Sequence, residues 1–280
     1  SFSTWFQLTP TLDTAGACSL NSLFFANRQF DGVAFVRHTR TEIAQIPWPI
    51  AGNQPHVAGP GNAPTVYIPI FKPEAPGQVG IARVDNPLDP TTATVNRADA
   101  GLGGVGTFTL SGAFAFRVPV IGTDPFDPRH VITVDASADQ VKVTFDGGRS
   151  WQTDRELTGL VTDGFIFDRG TRDFTQVQVI DFDPLVPGRV IVGTDAAGVF
   201  LSSDGGMTWA KVPNSARVTS VSSFLADGEL DSDTTDRVFV SSYGRGLWRL
   251  LFPKTDLALS VTHAPEPVSP GQKLVFTPSV

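Results

Sequence analysis

Three aspartates lie where short apolar runs of the sequence give way to turn residues. Asp135 and Asp139 follow the run 131–134, and Asp195 follows the run 190–194. Hydrolysis of a glycosidic bond needs two carboxylates, about 5–5.5 Å apart for retention or about 6.5–9.5 Å for inversion. Glycoside hydrolysis is therefore one chemistry open to the chain if the fold brings these turns together. The alternative is that each aspartate only shapes its own turn.

A second group of residues suits ligand binding. Tyr243 and Arg245 lie in a short turn before Gly246, and Phe30 precedes Asp31-Gly32. An exposed aromatic ring among polar side chains suits a sugar, and aspartate and arginine add charge-assisted hydrogen bonds. We predict that Tyr243, Arg245, Phe30 and Asp195 contact a glycan or a protein ligand.

Metal and nucleotide sites have little support in the sequence. Asp231, Asp233 and Asp236 alternate with hydroxyl residues, but the segment lacks the glycine and distal glutamate of an EF-hand, so a solvated loop is favoured over structural Ca²⁺. The single cysteine excludes a multi-cysteine zinc site. The run 101–106 matches G-x-G-x-x-G, yet a predicted strand follows it where a dinucleotide site needs a helix. No cofactor or metal is expected.

Composition indicates a turn-rich β-protein. The 280 residues include 27 Gly, 22 Pro and 21 Phe, and 41% of them are hydrophobic. The net charge of -7 argues against nucleic acid or an anionic membrane as the main partner. No apolar run is long enough to span a bilayer. No stretch combines a sustained helical period with capping residues, so no helix is predicted.

An internal repeat predicts the positions of the strands. The segment 144–151 recurs as 202–209, and residues 120–132 match 179–191 at a spacing of 59. Weaker copies begin near Leu23, Val66 and Arg237. In the clearest copy we predict strands at 177–182, 189–193, 199–203 and 208–212. Repeats of about 40–60 residues with four short antiparallel strands are typical of propeller blades. The sequence therefore predicts an all-β, incomplete β-propeller with about five four-stranded antiparallel blades.

The two clear copies share an Asp-Gly-Gly turn between their third and fourth strands. The aspartate is expected to accept hydrogen bonds from backbone N–H groups, the glycines to supply positive φ, and the tryptophan to cover apolar surface. Each residue then has a structural role rather than a catalytic one. The residues concerned are Thr144, Asp146, Gly148, Trp151, Ser202, Asp204, Gly206 and Trp209.

The pattern Ser/Thr-x-Asp-x-Gly-x-Thr/Ser-Trp resembles the Asp-box, or bacterial neuraminidase repeat. It occurs in the β-propellers of sialidases, xyloglucan-active glycoside hydrolases, sortilin-type receptors and photosystem assembly factors. The resemblance implies that the boxes lie on the propeller rim, away from any chemistry. It also implies that ligands bind on the opposite face, around the central channel, where the connection 156–173 is expected too.

Two shorter resemblances bear on catalysis. Residues 194–198 resemble the turn that carries a catalytic aspartate, here Asp195, in the xyloglucan-active family. Residues 116–119 resemble the Arg-Ile-Pro motif that carries the first sialidase arginine, here Arg117. The repeat spacing places Arg117 opposite Gln176, in the first strand of the next copy, which offers a structural explanation instead.

The end of the chain follows a different pattern. The last recognisable blade ends at Pro253, and 256–272 resembles the first strands of the Ig-like modules of bacterial surface and secreted proteins. We predict a propeller domain over 1–253 and the start of an Ig-like module over 254–280, both parts of a larger extracellular or cell-surface chain. Residues 1–6 are a candidate for the strand that completes the last blade. The predicted function is glycan or protein binding, with a sialidase-like or xyloglucanase-like hydrolase as the alternative.

Overall fold

The structure is a computed structural model. It describes residues 2–12, 18–30, 35–51, 55–111, 114–135, 140–162, 177–218, 220–227, 235–242, 246–253, 260–264 and 275–279. Within these ranges the chain is all-β apart from one short α-helix and one 3₁₀ turn.

The first half of the chain forms two antiparallel sheets and a hairpin. Sheet 1 has three strands: β1 (Phe2–Leu12), β2 (Cys18–Phe30) and β3 (Phe35–Ile46). Sheet 2 has four: β4 (His56–Ala58), β5 (Thr65–Phe71), β6 (Val79–Asp85) and β7 (Thr94–Arg97). The hairpin pairs β8 (Thr107–Ser111) with β9 (Phe114–Val118).

The second half repeats the four-stranded pattern twice. Sheet 3 consists of β10 (Ile121–Thr123), β11 (Val131–Asp135), β12 (Gln140–Thr144) and β13 (Gln152–Thr153), and it is followed by the helix α1 (Arg155–Val161). Sheet 4 consists of β14 (Val177–Phe182), β15 (Val190–Thr194), β16 (Val199–Ser202) and β17 (Ala210–Lys211). These bounds agree with the four strands predicted for this copy.

The chain ends in a three-stranded sheet and a hairpin. Sheet 5 consists of β18 (Val221–Asp227), β19 (Thr235–Ser242) and β20 (Gly246–Pro253). After it, β21 (Ser260–Ala264) pairs with β22 (Val275–Ser279) in a sheet of their own. The segment 254–259 between β20 and β21 lies outside the described residues.

The sheets are arranged as blades of an incomplete β-propeller. In sheets 2 to 4 the strands are ordered as they occur in the chain, from the first strand at one edge to the fourth at the other. The first strands β4, β10, β14 and β18 lie next to one another, so they surround a common axis. One contact between them is the Thr123 hydroxyl, which donates to the carbonyl of Val57 at 2.9 Å.

The core lies between consecutive sheets rather than inside any one of them. Four clusters of buried apolar side chains lie between consecutive sheets, one in each of the four interfaces from sheets 1 and 2 to sheets 4 and 5. Close approach requires small residues: a Cβ added at Gly122 in β10 would lie 2.4 Å from Cγ2 of Ile180 in β14. Burial of these clusters positions the inner strands and therefore the channel that they line.

The structure differs from the sequence prediction in several places. Sheets 1 and 5 have three strands in the described part of the chain instead of four, because β3 continues to Ile46 without an Asp-Gly-Gly turn and sheet 5 ends at Pro253. Residues 2–6 belong to β1 and pair with β2, from Phe2 opposite Gln29 onward, so they are wrong as the closing strand of sheet 5. The connection after sheet 3 begins with the unpredicted helix α1, because the Asp154 carboxylate caps it by accepting the N–H of Leu157 at 2.8 Å.

Candidate functional site

The two Asp-Gly-Gly turns have the same hydrogen-bond pattern. Oδ1 of Asp146 accepts the N–H of Arg149 and of Ser150, both at 3.0 Å, and Oδ2 accepts the Ser150 hydroxyl at 2.6 Å. The hydroxyl of Thr144 donates to Asp146 at 2.8 Å and accepts the N–H of Gly148 at 3.0 Å. The Ser150 hydroxyl is the main cause that lowers the pKa of Asp146 to about 2. The carboxylate therefore stays ionised and directed into its own turn.

The second turn repeats this pattern residue by residue. Asp204 accepts the N–H of Met207 and Thr208 at 3.0 and 2.9 Å, and it accepts the Thr208 hydroxyl at 2.6 Å. Ser202 donates to Asp204 at 2.7 Å. The pKa of Asp204 is likewise lowered to about 2, chiefly by the Thr208 hydroxyl. The carboxylate oxygens of both aspartates thus accept hydrogen bonds within their own turns, which lie at the protein surface.

The tryptophan that ends each turn bonds to the preceding sheet. Nε1 of Trp151 donates to the carbonyl of Ala98 at 3.0 Å, directly after β7. Nε1 of Trp209 donates to Oδ2 of Asp154 at 2.7 Å, directly after β13. The glycines allow this close contact: φ is 86° at Gly148, where an added Cβ would lie 2.3 Å from the Ala98 carbonyl oxygen. The turns thus connect one sheet to the next.

Two of the candidate catalytic aspartates, Asp135 and Asp195, lie at the ends of the strands that are opposite to the Asp-Gly-Gly turns. Asp135 is buried, and its two oxygens accept the N–H groups of Gly103 and Gly104 at 2.9 and 3.1 Å. Asp195 is half-buried, and Oδ1 accepts the Ser220 hydroxyl at 2.7 Å just before β18. Each carboxylate therefore bonds to the connection that leads into a neighbouring sheet or hairpin. The G-x-G-x-x-G loop that bonds Asp135 is followed by β8, as predicted.

Most other predicted site residues cannot be placed. Asp139, Tyr243, Arg245, Asp231 and Asp233 lie outside the described residues. Phe30, Arg117 and Asp236 lie in β2, β9 and β19, but only their backbone is described. Arg117 is not in the first strand of a blade as the repeat spacing predicted, because residues 114–118 form the separate β8–β9 hairpin before β10 begins.

A cavity of about 380 Å³ with a mixed polar and apolar lining lies in the channel between the inner strands, and we call it the channel cavity. Its walls come from the first strands of sheets 2 to 5. Its polar lining consists of His56, Thr123, Gln178, Asp181, Ser222 and Ser223, and its other lining residues are Pro119, Val120, Ile121, Gly122, Val179 and Ile180. Polar residues from four sheets therefore line this one cavity.

Two lining side chains have altered proton affinities. Burial lowers the pKa of His56 to about 4, so its imidazole is neutral at physiological pH. Burial also raises the pKa of Asp181 to about 6, although a hydrogen bond from the N–H of Phe182 lowers the pKa and offsets part of this rise. The Asp181 side chain is accessible to water in the cavity, but the surrounding strands displace much of its hydration shell. Two shifted groups in one cavity mark a candidate functional site.

The channel cavity was not predicted from the sequence. Its signal was the presence of Gln178 and Asp181 inside the predicted first strand 177–182, where a fully buried strand would be apolar. His56 lies in a three-residue strand that no repeat unit marked. The described residues contain no group of three potential metal ligands. No helix in the described part of the chain is long and apolar enough to cross a membrane.

No family model and no curated protein matches the sequence. Among solved structures, the GH74 enzyme of Niastella koreensis is similar at 16% identity and a TM-score of 0.36, covering 88% of this chain and 35% of that one. The GH74 xyloglucanase of Xanthomonas campestris is similar at 16% identity and a TM-score of 0.37, covering 87% of this chain and 43% of that one. The chain thus spans less than half of the length of either protein.

Proposed function

We propose that this chain is a non-catalytic, extracellular propeller module that binds a saccharide in the channel cavity. The observation that carries the proposal is that six polar residues from four sheets, with one carboxylate among the described ones, line one cavity between the inner strands. The Asp-Gly-Gly turns serve in this proposal as scaffolding that fixes the sheets around the cavity.

The lining chemistry supports a polyhydroxyl ligand. The Gln178 amide and the Asp181 carboxylate offer donors and acceptors at the cavity wall. The hydroxyls of Ser222 and Ser223 each bond to the Ser241 hydroxyl at 2.7 Å and keep capacity for one further hydrogen bond. The neutral imidazole of His56 adds a flat ring with one donor and one acceptor. A volume of about 380 Å³ lies within the range of about 300–1,000 Å³ that is typical of small-molecule sites.

The carboxylate geometry supports binding rather than hydrolysis. The channel cavity contains one described carboxylate, Asp181, whereas glycoside hydrolysis uses two. The carboxylates of Asp135 and Asp195 accept hydrogen bonds from inter-sheet connections, and neither residue lines the cavity.

A glycan array followed by calorimetry tests the proposal. We expect binding by the wild-type chain and at least a tenfold loss in Ser222→Trp, because the indole would fill the cavity. Ser203→Trp is the matched control, since Ser203 is exposed next to the Asp204 turn and outside the cavity. No reducing sugar should be released from bound glycans. Absence of binding, equal binding by Ser222→Trp, or turnover would contradict the proposal.

We also propose that 254–280 forms part of a separate Ig-like module. The support is its sequence pattern and the β21–β22 hairpin, which pairs with none of the three strands of sheet 5. Limited proteolysis should cut within 254–259 and leave 1–253 folded. A cut that unfolds the propeller sheets would contradict this boundary.

A further inference from the structure

The charge distribution of the channel cavity indicates which saccharides it accepts, an inference that rests on the proposed function. Among its described lining residues, Asp181 is the one that carries a charge at neutral pH, and no Lys or Arg lines the walls. No Lys or Arg of the described chain lies within ion-pair distance of its carboxylate. The described residues around the cavity therefore leave the negative charge of Asp181 uncompensated for a bound ligand.

The groups around Asp181 do not cancel this charge. His56 on β4 is neutral at physiological pH because burial disfavours its protonated form. Asp183, two residues along the chain, carries a like charge, and the guanidinium of Arg189 donates to Asp183 at 3.0 Å. β10 and β18 contribute hydroxyl, aliphatic and glycine residues to the cavity wall, which are uncharged.

We propose that the channel cavity binds neutral saccharides and excludes acidic ones, with Asp181 as the residue that determines this specificity. A sugar carboxylate within a few ångströms of Asp181 would meet like-charge repulsion, which the water in the cavity screens only in part. Neutral hydroxyls would instead donate hydrogen bonds to the carboxylate. A sialylated or uronic ligand is thus the wrong class for this cavity.

The pH dependence follows from the protonation of Asp181. Since its pKa is about 6, the carboxylate is mostly ionised at pH 7.5 and mostly protonated at pH 5. A uronic acid stays ionised over this range, so lowering the pH removes the repulsion by neutralising only the protein group. His56, with a pKa of about 4, remains largely neutral at pH 5.

The test compares β-1,4-linked trisaccharides of glucose and of glucuronic acid by calorimetry. At pH 7.5 we expect the acidic trisaccharide to bind at least about tenfold more weakly, and at pH 5 to bind within about threefold of the neutral one. Asp181→Asn should bind both with similar affinity at pH 7.5. Asp89→Asn is the matched control, because it removes the same charge from an exposed turn outside the channel cavity and should leave the discrimination intact.

The outcomes separate the two proposals. If neither trisaccharide binds at either pH, the proposed saccharide-binding function fails, and the specificity fails with it. If both bind equally at pH 7.5, or if Asp181→Asn retains the discrimination, the specificity inference alone is overturned. Equal loss of discrimination in Asp89→Asn would show a whole-molecule charge effect, which also overturns it.

Discussion

The hydrogen bond between Trp209 and Asp154 predicts how strongly sheets 3 and 4 depend on each other. Asp154 is buried; its Oδ1 caps α1 through the Leu157 N–H at 2.8 Å, and its Oδ2 accepts Nε1 of Trp209 at 2.7 Å. Asp154→Ala removes both bonds at once. It leaves the indole N–H, in a side chain that is 7% exposed, without a partner.

The expected cost follows from those two losses. Removing a helix N-cap costs about 1 kcal/mol, and an unsatisfied buried donor costs about 1–3 kcal/mol. Burial raises the pKa of Asp154, so some of the benefit of the carboxylate is already cancelled by its desolvation. We therefore expect Asp154→Ala to lower the free energy of unfolding by about 2 kcal/mol.

A double-mutant cycle isolates the bond between the sheets. Trp209→Phe keeps most of the ring but removes the donor, and its effect should not add to that of Asp154→Ala, with a coupling of about 1–2 kcal/mol. Asp154→Asn keeps one acceptor, which can retain the helix cap, but its NH2 group then faces the Trp209 N–H, so it should lose the bond between the sheets and still cost less than the alanine variant. The free energies are measured by urea unfolding monitored by far-UV circular dichroism. An Asp154→Ala effect below about 0.5 kcal/mol, or a coupling near zero, would refute the reasoning.

Three further predictions concern the turns and the open face of sheet 5. Asp204→Ala should lower the free energy of unfolding by about 1 kcal/mol at pH 7. Because hydrogen bonds lower the pKa of Asp204 in the folded state to about 2, the wild type should lose this extra stability as the pH falls from about 4 towards 2. Acid-unfolding curves in which the extra stability persists at pH 2 would contradict this prediction. Gly148→Ala should cost about 2 kcal/mol or more, because φ is positive and the Cβ meets the Ala98 carbonyl; Gly61→Ala, in open space, is the control for thermal melting. Replacing both Leu247 and Leu251 by lysine should reduce self-association measured by light scattering and leave the melting temperature unchanged, since these side chains are 71% and 51% exposed; a clear fall in melting temperature would show that they are packed.

The repeated part of the fold could be predicted from the sequence because its signals are local. Alternation of β-branched runs with Asp, Pro and Gly fixes β14 to β17 to within two residues, and the Asp-Gly-Gly spacing fixes the turn between third and fourth strands. Sheet 1 was harder, because β1 to β3 are long strands without that turn. The helix α1 was missed because seven residues are too few to show a period, although Asp154 followed by Glu156 resembles an N-terminal capping signal.

The candidate site could not be predicted because it depends on contacts between sheets. His56, Gln178 and Ser223 come from three different blades, and nothing in their local sequence shows that the inner strands bring them together. The prediction that Asp135 and Asp195 are catalytic depended on turn position and, for Asp195, on the resemblance of residues 194–198 to a catalytic turn. Their hydrogen bonds to Gly103, Gly104 and Ser220 are long-range contacts that sequence spacing does not reveal.

The location of a bound saccharide tests the central claim most directly. Isoleucine methyl groups report position: Ile121 and Ile180 line the channel cavity, whereas Ile68 and Ile70 lie in the core between sheets 1 and 2. In a methyl NMR titration with a glycan-array hit, we predict that the resonances of Ile121 and Ile180 shift saturably while those of Ile68 and Ile70 remain unchanged. Saturable shifts at Ile68 or Ile70 with none at Ile121 and Ile180 would place the ligand elsewhere and contradict a channel site.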